Sequence, residues 1–121
     1  MYNEQEILNM NSAKESYYYC LHNKNANIKL HEKIILDSKN NYYCYLFARD
    51  IQNTNIKELE QIILDSEDLD YYYHFARDIK KSNKELLFEK LLQSKKLDYI
   101  NLFYNEINFN KSKYETLMLF L

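Results

Sequence analysis

A period of 28 residues runs through the chain and constrains its fold more than any other feature. The dipeptide Ile-Leu occurs at 7–8, 35–36 and 63–64, and the same step leads to Leu-Leu at 91–92 and Leu-Phe at 119–120. The segment Phe-Ala-Arg-Asp-Ile occurs twice without change, at 47–51 and at 75–79. A fixed period of this size is typical of repeat proteins, in which each unit is stable only when it packs against its neighbours.

The apolar residues of one period predict a first short helix. Four of them in the second repeat share one helical face, because they follow one another at helical spacings: Cys44, Phe47, Ala48 and Ile51. The equivalent face of the third repeat is Tyr72, Phe75, Ala76 and Ile79. Since the chain has neither Gly nor Pro, we expect mostly helix joined by short turns.

A second helix is predicted to begin at an Asn that keeps the period. Asn27, Asn55 and Asn83 each precede a further apolar stripe, and Asn is a favoured N-cap residue. Asn55 followed by Glu58 resembles a capping box, in which the acidic side chain would bind the backbone N–H of the Asn.

The sequence therefore predicts an all-α fold, an α-solenoid of short antiparallel helix hairpins, with about nine helices in one domain. We expect the domain to span 1–121, with an entry helix at 3–11, repeats at about 12–39, 40–67 and 68–95, and a terminal pair at 96–121.

Composition favours a cytoplasmic chain that does not enter a membrane. No window has the roughly 18 uninterrupted apolar residues of a membrane span, and no basic-then-apolar leader is present. Cys20 and Cys44 do not share a repeat position, which is typical of free thiols in a reducing compartment rather than of a disulfide framework.

Charge is distributed unevenly along the chain, whose formal net charge is −2. Residues 1–78 carry 8 basic and 13 acidic side chains, whereas residues 79–121 carry 8 basic and 5 acidic ones. We expect the acidic part, with Glu67, Asp68 and Asp70 as candidate partner-binding residues, to attract a basic protein. The Lys-rich C-terminal third is the only plausible footprint for a single-stranded nucleic acid, which is an improbable partner given the overall acidity.

Two ladders of side chains at the 28-residue step are further candidates for partner binding. Tyr17, Tyr45 and Tyr73 form one, and Arg49 and Arg77 form the other, each Arg four residues beyond a tyrosine of the first ladder. As a binding ridge they would present residue types that are enriched at hot spots. In the alternative, structural interpretation, each Arg pairs with an acid of an adjacent repeat, and each Tyr covers the junction between two repeats.

Nothing in the sequence indicates catalysis, a cofactor or a metal. His22, His31 and His74 occupy three different repeat positions, and no His, Cys or carboxylate spacing matches a metal site. Without Gly there is no Gly-rich phosphate loop. We therefore expect a protein that is not an enzyme and has no cofactor.

The Phe-Ala-Arg-Asp-Ile core and the Leu-Glu-x-x-Ile-Leu segment at 59–64 resemble short HEAT-like α/α-hairpin repeats. Similar tandem repeats occur in uncharacterised proteins of low-G+C bacteria and their phages. Repeat folds of this kind usually present a surface to a partner. We expect a non-enzymatic protein-binding module, a small inhibitor or adaptor that docks on a bacterial protein, for which a basic nucleic-acid-handling protein is one candidate. The most specific form of this expectation is a phage anti-defence protein such as an anti-CRISPR. A structural array that self-assembles into homo-oligomers through the apolar residues 117–121 is an alternative.

Overall fold

The computed structural model describes residues 2–121, and over this range the chain is all-α, with nine α-helices, one short 3-10 helix and no β-strand. The α-helices are α1 Glu4–Asn9, α2 Ala13–His22, α3 Ile28–Ser38, α4 Asn41–Asp50, α5 Ile56–Ser66, α6 Leu69–Asp78, α7 Lys84–Ser94, α8 Leu97–Glu106 and α9 Glu115–Met118. The 3-10 helix, Ser112–Tyr114, leads directly into α9. The predicted all-α class and the predicted number of helices are thus confirmed.

The helix boundaries keep the period of the sequence. Helices α2, α4, α6 and α8 begin at residues 13, 41, 69 and 97, each 28 residues after the last. Helices α3, α5 and α7 begin at 28, 56 and 84, and the 3-10 helix begins at 112, again at the same step. Each predicted repeat therefore contains one helix hairpin.

The chain divides into two compact units, Met1–Ser66 and Glu67–Leu121. In the first unit α2 packs against α3 and α4 packs against α5, while α2 also contacts α4 and α3 contacts both α1 and α5. In the second unit α7 packs against α6 and α8, and α6 contacts α8. Hairpins are thus stacked within the first unit, while a solenoid and a single domain for the whole chain stay predictions.

Large apolar side chains that recur at the period form the core of each unit. In the first unit Phe47, Leu59 and Ile63 are fully buried, and in the second unit Phe75 and Leu87 are fully buried at the equivalent positions. Burial of one such side chain stabilises a fold by about 1.5–3 kcal/mol, so the core accounts for most of the hairpins' stability. Helices of about ten residues would be marginal alone.

The predicted N-caps are confirmed. The side-chain oxygens of Asn27, Asn55 and Asn83 accept hydrogen bonds from the backbone N–H groups three residues later, at 3.3, 3.1 and 3.1 Å. Each bond satisfies one of the N–H groups that the first turn of a helix leaves without a partner.

The predicted capping box at Asn55 is wrong, because its backbone N–H has a different partner. It donates to Oε2 of Glu32 at 2.6 Å rather than to Glu58. One period earlier the N–H of Asn27 donates to Oε2 of Glu4 at 2.7 Å. In the first unit an acid on α1 thus anchors the start of α3, and an acid on α3 anchors the start of α5.

A left-handed residue separates successive repeats, and it also keeps the period. Asn11, Lys39, Glu67 and Lys95 have φ angles of 49°, 51°, 57° and 60°. Residues with a Cβ atom adopt this conformation at some cost, and Gly, which would avoid it, is absent from the chain. Each helix α3, α5 and α7 is thereby terminated one residue before the left-handed position.

Candidate protein-binding surface

Tyr17, Asp50 and Arg49 form one connected polar group in the first unit. The hydroxyl of Tyr17 on α2 donates to Oδ2 of Asp50 at the end of α4, at 2.5 Å. Arg49 donates to the same carboxylate from Nε at 2.7 Å and from Nη2 at 2.9 Å. The tyrosine therefore links the first helices of two consecutive repeats through an acid that is already neutralised by its neighbour.

The two arginines make the same two local contacts, one with a tyrosine ring and one with the following aspartate. The guanidinium carbon of Arg49 lies 5.4 Å from the ring centroid of Tyr45, and that of Arg77 lies 5.3 Å from the ring centroid of Tyr73. Arg77 also donates to Asp78 from Nε and Nη2, at 2.8 Å each. Both contacts fix the direction of the guanidinium group.

The structure corrects the predicted partner of Arg49. The acid that it contacts is the next residue of the same repeat, not an acid of an adjacent repeat, and Arg77 likewise contacts the next residue, Asp78. Helices α4 and α6 end at Asp50 and Asp78, so each aspartate lies where the chain leaves the helix. Its side chain can therefore reach a sequence neighbour that it would not face within a helix.

The polar group shifts the pKa values of its members. Burial, together with the hydrogen bond to Asp50, raises the pKa of Tyr17 to about 12. The hydrogen bond from Arg49 holds the pKa of Asp50 below its usual value, and the hydrogen bond to Asp50 raises the pKa of Arg49. At neutral pH the aspartate is charged and the tyrosine is neutral and donates its proton to the hydrogen bond.

Tyr17 and Tyr45 are buried, with 4% and 8% of their surfaces exposed. Tyr73 is half-buried, whereas Arg49 and Arg77 are exposed. At this ladder a partner would mainly contact the arginines, because the rings of Tyr17 and Tyr45 are covered. For these two tyrosines, burial favours the structural interpretation over the binding ridge.

The predicted acidic candidates also have local structural roles in the second unit. Glu67 is the left-handed residue before α6, and Asp68 is the N-cap of α6, its side chain accepting from the N–H of Asp70 at 3.2 Å. A hydrogen bond to Asp70 raises the pKa of Tyr99. Glu67 and Asp70 are exposed.

Sequence reasoning missed an exposed aromatic surface on α2 and α4. The ring centroids of Tyr42 and Tyr43 are 5.1 Å apart, those of Tyr43 and Tyr17 are 6.1 Å apart, and those of Tyr17 and Tyr18 are 5.1 Å apart. Tyr42 and Tyr18, at the two sides of this series, are 50% and 43% exposed. The signal that could have found them is that neither position is a tyrosine in any later repeat.

We call Tyr18, Tyr42, Tyr43 and Arg49 the tyrosine face. Tyr42 and Arg49 are seven residues apart on α4 and so lie along one side of that helix. Tyr17 contacts Tyr18 and Tyr43 through its ring and reaches Arg49 through Asp50. The face thus combines exposed aromatic rings with a cation of fixed direction.

A serine, a histidine and a glutamate also meet in the first unit. Nδ1 of His31 lies 2.9 Å from Oγ of Ser16, and its Nε2 lies 3.0 Å from Oε2 of Glu4. Ser16 and His31 are fully buried. A substrate cannot reach a serine hydroxyl in this position, so the group fastens α1, α2 and α3 together instead of providing a nucleophile.

The cysteines have no reactive environment either. Cys20 and Cys44 are free thiols, and both are buried. Burial raises the pKa of each thiol to about 12, which keeps both protonated at neutral pH. Among residues 2–121, no three or more His, Cys, Asp or Glu side chains are grouped so that they could hold a metal ion.

The chain matches no protein-family model, no curated protein and no solved structure. The resemblance to HEAT-like repeats therefore stays a prediction, and function has to be inferred from geometry. In the part of the chain that the structure describes, no helix has the length and apolar character needed to cross a bilayer.

Proposed function

We propose that this chain is a non-enzymatic protein-binding module that docks through the tyrosine face. The observation that carries the proposal is the series of ring contacts from Tyr18 to Tyr42. The two tyrosines at its ends are 43% and 50% exposed. Tyr and Arg are the residue types most enriched at binding hot spots. Since their rings and guanidinium group are already held in place, little side-chain entropy is lost when a partner binds.

The narrower form of the proposal is a cytoplasmic inhibitor or adaptor of a nucleic-acid-handling protein. The excess of acidic side chains in residues 1–78 supports it, because a negative field attracts a basic surface that normally contacts phosphate. An origin in a phage or mobile element, as for an anti-CRISPR, is supported by the resemblance of the repeats and by the small size of the chain.

A double substitution tests the tyrosine face. Tyr18→Ala with Tyr42→Ala removes both exposed rings, and we expect binding to weaken by about tenfold or more with helix content unchanged. The matched control is Asp98→Ala with Leu102→Ala on α8, two exposed residues at the same repeat positions as Tyr42 and Tyr18. The control should bind like the wild type.

The measurement begins with affinity capture from the native host by wild type, variant and control, followed by protein identification and calorimetry with the captured protein. A partner that binds the tyrosine variant as tightly as the control would contradict docking through this face. Failure of the wild type to bind any protein directly would contradict the proposed function itself.

Self-association is a second candidate, favoured by the exposed apolar residues after α9. Leu119 and Phe120 are 81% and 82% exposed. Exposed apolar side chains of this size are common at protein interfaces. A chain shortened before Leu117 should then lose mass in static light scattering relative to the wild type, and an unchanged mass would reject this candidate.

A further inference from the structure

Grooves recur between consecutive hairpin loops, at the same positions of the repeat. In the first unit a groove of about 470 Å³ lies between the α2–α3 loop and the α4–α5 loop. In the second unit a groove of about 800 Å³ lies between the α6–α7 loop and the loop that follows α8. Lys24 lines the first groove and Lys80 lines the second, two periods later in the sequence. The two grooves are therefore repeat-related, and they can be compared position by position.

The groove of the second unit has a surplus of positive charge. Its lining has three cations and two carboxylates: Asp78 pairs with Arg77, and Glu85 shares Lys113 with Glu89, at 3.2 and 3.1 Å. The lining itself therefore carries one net positive charge, three cations against two carboxylates. Lys84 is held in place, with Nζ donating to Oγ of Ser82 at 2.9 Å. Over residues 79–85 and 106–113 the sequence contains five lysines and two glutamates, so this edge of the unit attracts anions.

The aromatic ring that lines the groove, that of Phe109, already has a cation and other rings against it. Nζ of Lys111 lies 5.5 Å from the ring centroid of Phe109 and 5.2 Å from that of Tyr104. Other faces of Phe109 pack against Phe88 and Tyr114, with centroids 5.1 and 6.1 Å away. Single-stranded nucleic acids bind largely by stacking bases on exposed rings, and here an ammonium group covers the ring instead.

Amide side chains supply the remaining polar lining. Asn108 is exposed at one side of the groove, and Asn110 next to it is also exposed. Oδ1 of Asn110 accepts from the N–H and Oγ of Ser112, at 3.2 and 2.9 Å, which turns its amide NH₂ away from that turn. An amide offers both a donor and an acceptor, which matches the groups along an extended polypeptide backbone.

We propose that this groove binds an acidic stretch of polypeptide in an extended conformation. Lys80, which is exposed, would face the acidic side chains, and Asn108 would contact the peptide backbone. The site shares no residue with the tyrosine face. It would recognise a different feature of a partner, or a different partner.

A fluorescent peptide of alternating Glu and Ser, about twelve residues long, is the probe for anisotropy titration of the full chain at low salt. Lys80→Glu should weaken binding by about fivefold or more, since it reverses a charge within the groove. Lys24→Glu is the matched control, because the same change occurs at the same repeat position in the other groove, and it should alter binding by less than about twofold. Asn108, which lines the same groove, occupies the same repeat position as Lys24 and Lys80. Asn108→Asp adds a negative charge to the groove and should therefore also weaken binding of the acidic peptide.

Two further probes distinguish an acidic peptide from an uncharged peptide and from a nucleic acid as the ligand of this groove. A peptide of alternating Gln and Ser should bind at least about tenfold more weakly than the acidic one. Oligothymidylate that binds more tightly than the acidic peptide would overturn the proposal in favour of a nucleic-acid footprint. Equal effects of Lys80→Glu and Lys24→Glu, or no saturable binding of the acidic peptide, would also overturn it. Tyr18→Ala with Tyr42→Ala should leave peptide binding unchanged, so this site and the tyrosine face can fail independently.

Discussion

The hydroxyl of Tyr17 and the carboxylate of Asp50, 33 residues apart in sequence, are joined by a hydrogen bond between the first helices of two repeats. Both side chains lie largely out of solvent, with 4% of Tyr17 exposed. An acceptor that is mostly shielded from water is left partly unsatisfied when it loses one donor, which makes this contact a sensitive measure of how the two hairpins are held together.

Tyr17→Phe removes the hydrogen bond and keeps the ring. We expect a loss of about 1–2 kcal/mol in the free energy of unfolding, measured by urea denaturation followed by circular dichroism. Tyr18→Phe is the control, because Tyr18 is the next residue and is exposed. It should change stability by less than about 0.5 kcal/mol. Equal stabilities of the two variants would contradict a structural role for the Tyr17 hydroxyl.

Stability should fall in alkaline solution more steeply for the wild type than for Tyr17→Phe. The pKa of Tyr17 is raised from 10.0 to about 12 in the folded chain, chiefly by burial and then by Asp50. The folded state therefore keeps this proton over a pH range in which the unfolded state has lost it. The stabilisation is complete below pH 10.0 and is lost as the pH rises toward about 12.

Urea titrations of both proteins at several pH values from about 9 to about 11 measure this difference. The gap in unfolding free energy between wild type and Tyr17→Phe should narrow as the pH rises. A gap that stays constant across the range would show that Tyr17 ionises equally in the folded and unfolded chains.

The helices were predictable from sequence because their signals are local. The apolar spacing around Phe47 and the caps at Asn27 and Asn55 depend on residues within one or two turns, and the structure has them where the pattern predicts. The partner of Arg49 was not predictable in this way, since it depends on where α4 ends. The bond from the N–H of Asn55 to Glu32 joins residues 23 positions apart and needs the packing of the hairpins.

The candidate surface was harder to predict than the fold. A residue that recurs in every repeat tends to be buried by its structural contacts, as Tyr17 is where it bonds Asp50 of the next repeat, so periodicity selects structural residues. Tyr18 and Tyr42 break the period: the positions equivalent to Tyr18 hold Leu46, His74 and Leu102. Departure from the period is therefore the better indicator of a surface that is specific to one repeat.

The buried pair of Ser16 and His31 can be replaced by the residues of the next repeat. The equivalent positions are Cys44 and Leu59, both fully buried. His31→Leu alone leaves the Ser16 hydroxyl without its histidine partner and should cost about 1–3 kcal/mol. Ser16→Cys with His31→Leu makes the first repeat resemble the second, so the double variant should be within about 1 kcal/mol of the wild type.

A double-mutant cycle measured by urea denaturation gives the coupling between the two positions, with Ser16→Cys as the remaining single variant. A coupling energy near zero would mean that the bond between Ser16 and His31 contributes nothing specific to the fold. Retention of the folded state by the double variant would also show that the group of Glu4, His31 and Ser16 is not needed for folding.

The left-handed residues between repeats give the last prediction. Lys39 and Lys95 have φ angles of 51° and 60° directly after α3 and α7. Gly adopts this conformation without steric cost, although it also gives the unfolded chain more freedom. Lys39→Gly and Lys95→Gly should therefore each stabilise the fold by about 0.5–1 kcal/mol.

Lys33→Gly and Lys90→Gly, inside α3 and α7, are the matched controls and should each destabilise the fold by about 1 kcal/mol. The opposite signs separate the effect of backbone conformation from the loss of a lysine side chain, since all four variants remove one lysine. If glycine destabilised the fold equally at positions 33 and 39, the left-handed termination of α3 would carry no strain for glycine to relieve. Thermal unfolding followed by circular dichroism is sufficient to rank the four variants, because the expected differences span about 2 kcal/mol.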